Sequence, residues 1–588
     1  MCLTNWSGKL PNSKPLQPLV LDALGVSGLN TQSNSTAIEY NWLTQADNVM
    51  LDTEGRLTSR QGIQQVSVGL TDATSSVNNT KIVKSIGERL DKDGTISYYC
   101  GIGTSVYELD TSKKPHTLTA QSFTGTAPTV TDGNWQWASF NNHLYGVQRG
   151  HLPIQVEQTT GNMLAIKEHA SYGAPSSVTT FNPQCIMADF GSVWVGGIGE
   201  NKNLVLRSDN LQGHKWNTGT AGQIDLQTVW GTDEVVALAS FYNRLVIFGK
   251  RNIAIYANPW DAGTSGSTFQ LQDLIKGVGC IARDSVQSYG DDIIFLSETG
   301  VRSLARTTEK DNLPLTDLTK NIKEDVNRNI PRTNGAVDQV KSVYNSEYGF
   351  YALTLGHKDL TFVLDFRATN QDGTPVVTKW VTSKGKRPTS YLYTLGGDMW
   401  VGHGSEDLLD EEAVGAVSKY TGYLDKSYTE ETTTYGTQSA CETASGVWES
   451  TTSTCWLNYD TNYESRFKTT WMDFGIPGIS KLLKKLTAVI TGGKNSVMSM
   501  TWFRDYEQTG VSTNINLRPS TGGAPALWGD STSLYGASKF VPTYSPVEYK
   551  VPLSRSAKTM QLEVANTVAG EKAAIQNITI SAKTGKIR

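Results

Sequence analysis

The side chains able to do metal or acid–base chemistry are few, and their spacing brings none of them together. Seven histidines, His116, His143, His151, His169, His214, His357 and His403, stand outside any HExxH or His-x-His pattern, so no imidazole pair is placed on one face to hold a zinc ion. Six cysteines, Cys2, Cys100, Cys185, Cys280, Cys441 and Cys455, show no CxxC spacing, which argues against a thiolate metal site and for reduced core residues. The glycines of "GVGCIARDS" and "VGGIGENKN" lack the phosphate-cradling patterns and read as turns, and the nucleophile elbow GxSxG is absent. "RSDNLQGHKW" comes nearest to the S-x-D-x-G-x-x-W box of sialidase-like propellers. Its aspartate, Asp209, is misplaced and the unit does not recur, so it reads as a polar turn over Trp216. The acidic run "SEDLLDEEAVGA" lacks the alternating carboxylates of a calcium loop. Lys481, Lys484 and Lys485 in "GISKLLKKLTAVI" cluster without interleaved aromatics, which fits non-specific phosphate contact or a subunit contact. These readings predict no enzyme, no cofactor and no metal.

The elements that carry these residues are short strands. Of 588 residues, 38% are apolar and 18% charged, with 55 glycines, 24 tyrosines and 15 tryptophans, a composition suited to strands and tight turns. Hairpin-like units begin at Ser97, His143, Ser192, Arg244, Asp292, Gly349 and Asp398. Many are preceded by a further short strand, and three or four strands per ~50 residues is the size of a propeller blade. The sequence thus predicts an all-β chain: a β-propeller of six or seven blades, the last hairpin being open to completion from the other end of the chain. A row of β-sandwiches is the competing arrangement. One helix is expected in "LTDLTKNIKEDVNRNIPRT", capped by Thr316 or Asp317, with Leu318, Ile322, Val326 and Ile330 on one face and Pro331 ending it.

Charge and texture divide the chain into an arm over 1–80, the propeller over 81–426, an exposed Ser/Thr-rich acidic excursion over 427–465, and a sandwich-like sheet domain over 466–588. The net charge of −4 hides an imbalance: residues 466–588 carry sixteen basic and seven acidic residues, whereas 401–465 carry twelve acidic and two basic. Such asymmetry fits contacts with charged partners or plain solvated faces. Cys441 and Cys455 flank a glycine-containing turn, where a bridge is geometrically possible although a cytoplasm keeps thiols reduced. The absence of an apolar run near ~20 residues predicts no membrane span, and the opening residues lack a signal-peptide core, so a soluble protein made in a cytoplasm is expected.

Several stretches resemble the tail nozzle, or tail tubular protein B, family of short-tailed bacteriophages, the packaged-DNA stabilisation group. They are "LVIFGKRNIAIYANPW" with "GVGCIARDSVQSYGDDIIFLSETGVRSL", "EYNWLTQADNVMLDTEGRLTSRQGIQQV" with Asn48, Gly55, Arg60 and Gly62 at matching places, and "ESRFKTTWMDFGIPGISKLLKKLTAVI". The resemblance implies a virion tail protein, synthesised in the host bacterial cytoplasm. Six copies would form a ring below the head-to-tail adaptor, contact a tail fibre or tailspike, and continue and close the channel for double-stranded DNA until ejection. In that setting acidic groups among Glu406, Asp407, Asp410, Glu411, Glu412, Glu430 and Glu431 are expected to face the lumen, where they would keep phosphates from sticking. The alternative is a carbohydrate-binding or glycan-cleaving tail propeller, with tryptophans as sugar platforms.

Overall fold

The strand Arg244–Gly249 shows why the hairpins read as unbroken apolar runs. Leu245 and Ile247 pack in one core with Trp194 and Val205, while Val246 and Phe248 pack in the next with Ile293 and Phe295, the two phenylalanine rings lying 5.1 Å apart. A sheet covered on both faces buries every residue rather than alternate ones, and each buried side chain adds about 1.5–3 kcal/mol of transfer free energy. In a computed structural model the chain is described over residues 17–584, apart from residues 22 and 291 and segments 71–80, 158–161, 258–268, 306–316, 383–385, 405–414, 432–434, 445, 450–452, 494–495 and 518–545.

Residues 61–463 form one compact unit. Six of its sheets have a four-stranded blade core and one has three strands among the described residues. In chain order the first strands of the blades are Val83–Leu90, Gln136–Phe140, Cys185–Asp189, Val235–Phe241, Gln287–Tyr289, Val340–Asn345 and Pro388–Tyr393. These line up side by side in a ring that returns from Pro388–Tyr393 to Val83–Leu90, passing the fifth blade largely through the short turn Arg283–Ser285. The unit is a β-propeller. The hairpins expected from sequence are the middle strands of the blades, such as Arg244–Gly249 paired with Asn252–Ala257. Tight turns join first to second strands: Asn141 and Asn142, and Tyr242 and Asn243, all have positive φ, the backbone that two-residue hairpins matching strand twist require.

The seventh blade is completed from a distant part of the chain. Ile63–Gln65 pairs with Ser418–Tyr420, fixed by a hydrogen bond from Ile63 N to Asp425 Oδ1 of 2.8 Å and one from Val417 N to Ser67 Oγ of 2.8 Å. Space is tight: a β-carbon on Gly62 would sit 1.9 Å from the carbonyl oxygen of Leu424. Of residues 427–465, expected as an exposed excursion, the described strands up to Thr461 instead extend this sheet. Asp425–Glu431 meets Gln64 in parallel and pairs with Thr454–Thr461, which carries Val447–Glu449. Cys441 and Cys455 are joined by a disulfide across 5.5 Å between α-carbons. Both are buried, Cys441 within the short helix Gln438–Thr443, whose first turn is capped by Thr437.

The second compact unit joins residues 1–60 to 464–588, which corrects the expected arm over 1–80: its described residues up to 60 belong with the C-terminal sheets, and residues 63–65 belong to the propeller. One antiparallel sheet contains Val49–Leu51, Leu57–Ser59, Ala573–Thr584, Lys481–Gly492 and Val547–Pro552; the other contains Trp42–Asp47, Tyr463–Thr469, Met560–Val568, Val497–Arg504 and Val511–Asn516. Burial alternates along Tyr463–Thr469 and Val497–Arg504 as in a sandwich. Asn48, at φ 56°, donates from Nδ2 to the Glu464 carbonyl over 2.7 Å and accepts from Arg60 Nε over 3.0 Å. Arg60 is wholly buried, and Gly55 turns at φ +75°. These positions thus set backbone geometry.

The inserted helix is shorter than expected, running Lys323–Asn329 behind a 3₁₀ turn at Lys320–Ile322. Asp317 does not cap it: its carboxylate accepts from Thr319 N and Oγ1, because the intervening tight turn moves the helix start to Ile322. Thr316 lies outside the described residues. Leu318, Ile322 and Val326 are buried as the four-residue spacing requires.

Replacing Gly62 with alanine is expected to lower the denaturation midpoint by an amount equivalent to about 1–3 kcal/mol through forced displacement of the closing strand. Gly335→Ala, in a helical turn with no atom within 4 Å of the added carbon, is expected to leave it within about 0.5 kcal/mol. Alkylation of the native protein without reductant, followed by peptide mass measurement, is expected to leave Cys441 and Cys455 unmodified as a linked peptide pair.

Candidate functional site

The ring of inner strands leaves an axis, and charged residues fill it. Lys341, second in the strand Val340–Asn345, is 6% exposed and donates from Nζ to Asp284 Oδ2 and Asn134 Oδ1, each at 2.5 Å. Arg283, in the turn that replaces strand at the fifth blade, donates to the carbonyls of Gln184 at 2.7 Å and Asn134 at 2.6 Å, and from Nε to Asp284 Oδ1 at 3.1 Å. Ser342 Oγ donates to the Asp284 carbonyl at 2.7 Å. Asn134 Nδ2 donates to the Asp338 carbonyl at 3.1 Å. Segments leading into the second, third, fifth and sixth blades are therefore tied to one another at the centre.

The electrostatics follow from burial and pairing. Burial alone would raise the Asp284 carboxyl, but Arg283 and Lys341 outweigh it and hold Asp284 below the usual carboxylate range. Burial pushes the Lys341 ammonium below its usual value, and Asp284 offsets this only in part. A buried pair of this kind adds little net stability against an apolar replacement, yet leaving one partner alone is costly.

Cavities lie on both sides of the network. Toward the start of the inner strands a cavity of roughly 210 Å³ is lined by Asp132, Gln148, Arg149, His151 and Asp338 above the floor of Asn134, Arg283 and Asp284. Further along the strands another of roughly 340 Å³ is lined by Glu88, Trp137, Gln287 and Tyr391, and it shares Arg283, Asp284 and Lys341. Lys84 with Asp132 at 2.8 Å and Arg149 with Asp338 at 3.5 Å pair across the first mouth. The arrangement can hold polar guests at either end while its centre is occupied by side chains.

Of the residues singled out from sequence, Glu406, Asp407, Asp410, Glu411 and Glu412 lie outside the described residues, and Glu430 and Glu431 belong to the strand Asp425–Glu431, their side chains outside the description. The three lysines are not one patch. Lys481 is 1% exposed, bonded to the carbonyls of Ile476 and Lys558, so the reading of it as a subunit or phosphate contact is corrected: its ammonium ties backbone together. Lys484 and Lys485 are both exposed, because a register shift between Leu483 and Lys485 turns adjacent residues to the same side. Asp209 is spent on its own turn, accepting from Asn210 N, Thr220 N and Thr220 Oγ1. Beneath that turn Trp216 packs on Phe181 at 5.1 Å, as expected. The axial network was missed; its trace in sequence is the Arg-Asp pair in "GCIARDS" and the lysine of "QVKSVY", charged residues set in otherwise core-like strings.

No family model matches the chain, and no curated protein matches it. Among solved structures it is similar to YCF48 bound to a D1 peptide, at 9% identity and a TM-score of 0.33 over 62% of this chain and 98% of that one. It is also similar to the Pan2 WD40 domain of Neurospora crassa, at 9% identity and a TM-score of 0.34 over the same shares of each chain. Likeness at this identity does not bear on function.

Lys341→Met is expected to cost about 1–3 kcal/mol in denaturant unfolding, since it takes the donor from Asp284 Oδ2 and Asn134 Oδ1 while Arg283 still balances the carboxylate. Asp284→Leu is expected to cost more, about 3–5 kcal/mol, because it leaves Lys341 and Arg283 facing each other without the carboxylate that both bind.

Proposed function

We propose that the chain is a structural subunit of a short bacteriophage tail, a wall module of the nozzle ring below portal and adaptor, with DNA passing between copies. The observation that carries this reading is the filled axis: side chains of three blades meet at Lys341, Asp284, Arg283 and Asn134, and Arg283 also holds the Gln184 carbonyl before a fourth. A propeller tied at its centre serves as a stiff block better than as a conduit, so the lumen belongs to the ring and not to the single chain. The structural work done by Asn48, Arg60 and Gly62, which the resemblance picks out, supports the same reading. Exposed Lys484 and Lys485 suit contact with an acidic neighbour in a closed ring.

A second reading has one observation in its favour. The smaller axial cavity brings Asp132 and Asp338 near Gln148 and His151, a set able to bond sugar hydroxyls, so a glycan-binding or glycan-cleaving tail propeller is the alternative.

Negative-stain imaging of the chain mixed with its adaptor and portal is expected to show a six-fold ring; a strictly monomeric protein in that mixture would overturn the proposal. Release of product from host surface polysaccharide, abolished by Asp132→Asn, would favour the second reading.

A further inference from the structure

Three histidines far apart in sequence meet on the second and third blades. The rings of His169 and His214 stack with centroids 3.8 Å apart and planes 24° from parallel. His143 meets His169 edge-on at 6.4 Å. His143 opens the second strand of the second blade, His169 follows that blade's last turn, and His214 sits in the loop of the third blade between Leu204–Arg207 and Gly222–Asp225. The stack lies where connector and loop are zipped by backbone: Gly173 N donates to the His214 carbonyl at 3.1 Å, and Trp216 N to the Gly173 carbonyl at 2.8 Å.

The surroundings favour neutral rings. Gln155 Nε2 is 3.1 Å from His143 Nδ1. The nearby carboxylate is Glu157, 3.9 Å from His169 Nε2. Against it stand two fixed cations, Lys215 on the loop, which also faces Asp209, and Arg89 from the first blade, which pairs with Asp91 at 3.1 Å and donates to the Glu157 carbonyl at 2.8 Å. One carboxylate can balance one imidazolium; a second proton on the stack would face a like charge at van der Waals distance, with Lys215 beside it.

We infer that the His169–His214 stack is an acid-labile latch, which holds the loop over residues 208–221 on the connector over residues 169–173 at neutral pH and releases it when both rings take up protons.

Burial, then the neighbouring imidazoles, depress the His214 value to about 4, and burial depresses His169 and His143. A group whose folded value is lowered binds its proton more readily once released, so the latched state is fully favoured above the free imidazole value near ~6.5 and weakens as pH falls toward about 4.

The test is hydrogen exchange read by mass spectrometry on the full chain between pH 7.5 and 4.5, with rates corrected for intrinsic pH dependence. In the wild type, protection of peptides containing Gly173 and Trp216 is expected to drop by about tenfold or more across this range, while peptides of the strand Arg244–Gly249 hold theirs. In His214→Phe, which keeps a ring on His169 without a proton site, protection at pH 7.5 is expected to stay within about threefold of wild type and to lose most of its pH dependence. Constant protection in the wild type down to pH 4.5, or an equal drop in His214→Phe, would overturn the latch. Should His214→Phe fold poorly, His169→Gln gives the same readout, because it too leaves at most one charge in the stack.

Discussion

The ammonium of Lys341, held between Asp284 and Asn134, is the constraint on which the propeller's centre depends. A ring of sheets that pack face to face has an open middle by geometry, and apolar side chains from converging strands would have to fill it unevenly. Here directed bonds fill it instead. Arg283 reaches back to the carbonyls that precede the second and third blades, so these are fixed relative to the fifth and sixth. Apolar packing could slide along a strand by a residue pair; these bonds cannot, and they set the register of the four blades they join. The cost is a buried charge set whose members all have to be present together.

Much of the fold could be read from residues such as Leu245 to Phe248, because strands covered on both faces leave runs no amphipathic helix or half-exposed sheet would tolerate. The seven hairpins were legible for that reason, as was the possibility that the last would borrow a strand. What could not be read was partnership at long range. Nothing local in "GIQQV" marks it as the fourth strand of a blade formed some 350 residues later, since it is short and one of its buried side chains, Gln65, is polar. Nor does "NWLTQADNVMLDTEG" signal that it belongs with the C-terminal sheets. Pairing there is decided by complementary burial across the chain, which one segment does not contain.

Charge was the least legible property. Lys481, Lys484 and Lys485 look equivalent as letters, yet strand alternation and one extra residue separate a buried tie from two exposed cations. The Ser/Thr-rich composition after Ser427 suggested a loop, but its buried Cys455 and Trp456 anchor strands to the seventh blade. Composition reports the solvent-facing half of such a hairpin and is silent about the half that holds it. The axial ions were hidden for the converse reason: a charge inside an apolar string reads as noise until its partner, tens or hundreds of residues away, is found.

The path of the chain through the propeller fixes an order of events during synthesis. Ile63 and Thr461 both adjoin Asp425, the first through its side chain and the second through strand pairing, so the two ends of the unit over residues 61–463 emerge at one blade. The sheets of the other unit draw on both flanks: Thr58 and Leu57 find their partners in Ala574 and Ile575. Strands before residue 61 can pair among themselves, as Val49–Leu51 does with Leu57–Ser59, but their partners in the later sheets are made only after four hundred residues of propeller. The folded propeller brings those flanks together, turning a closure across more than five hundred residues of loose chain into a short one, with the loop entropy already spent.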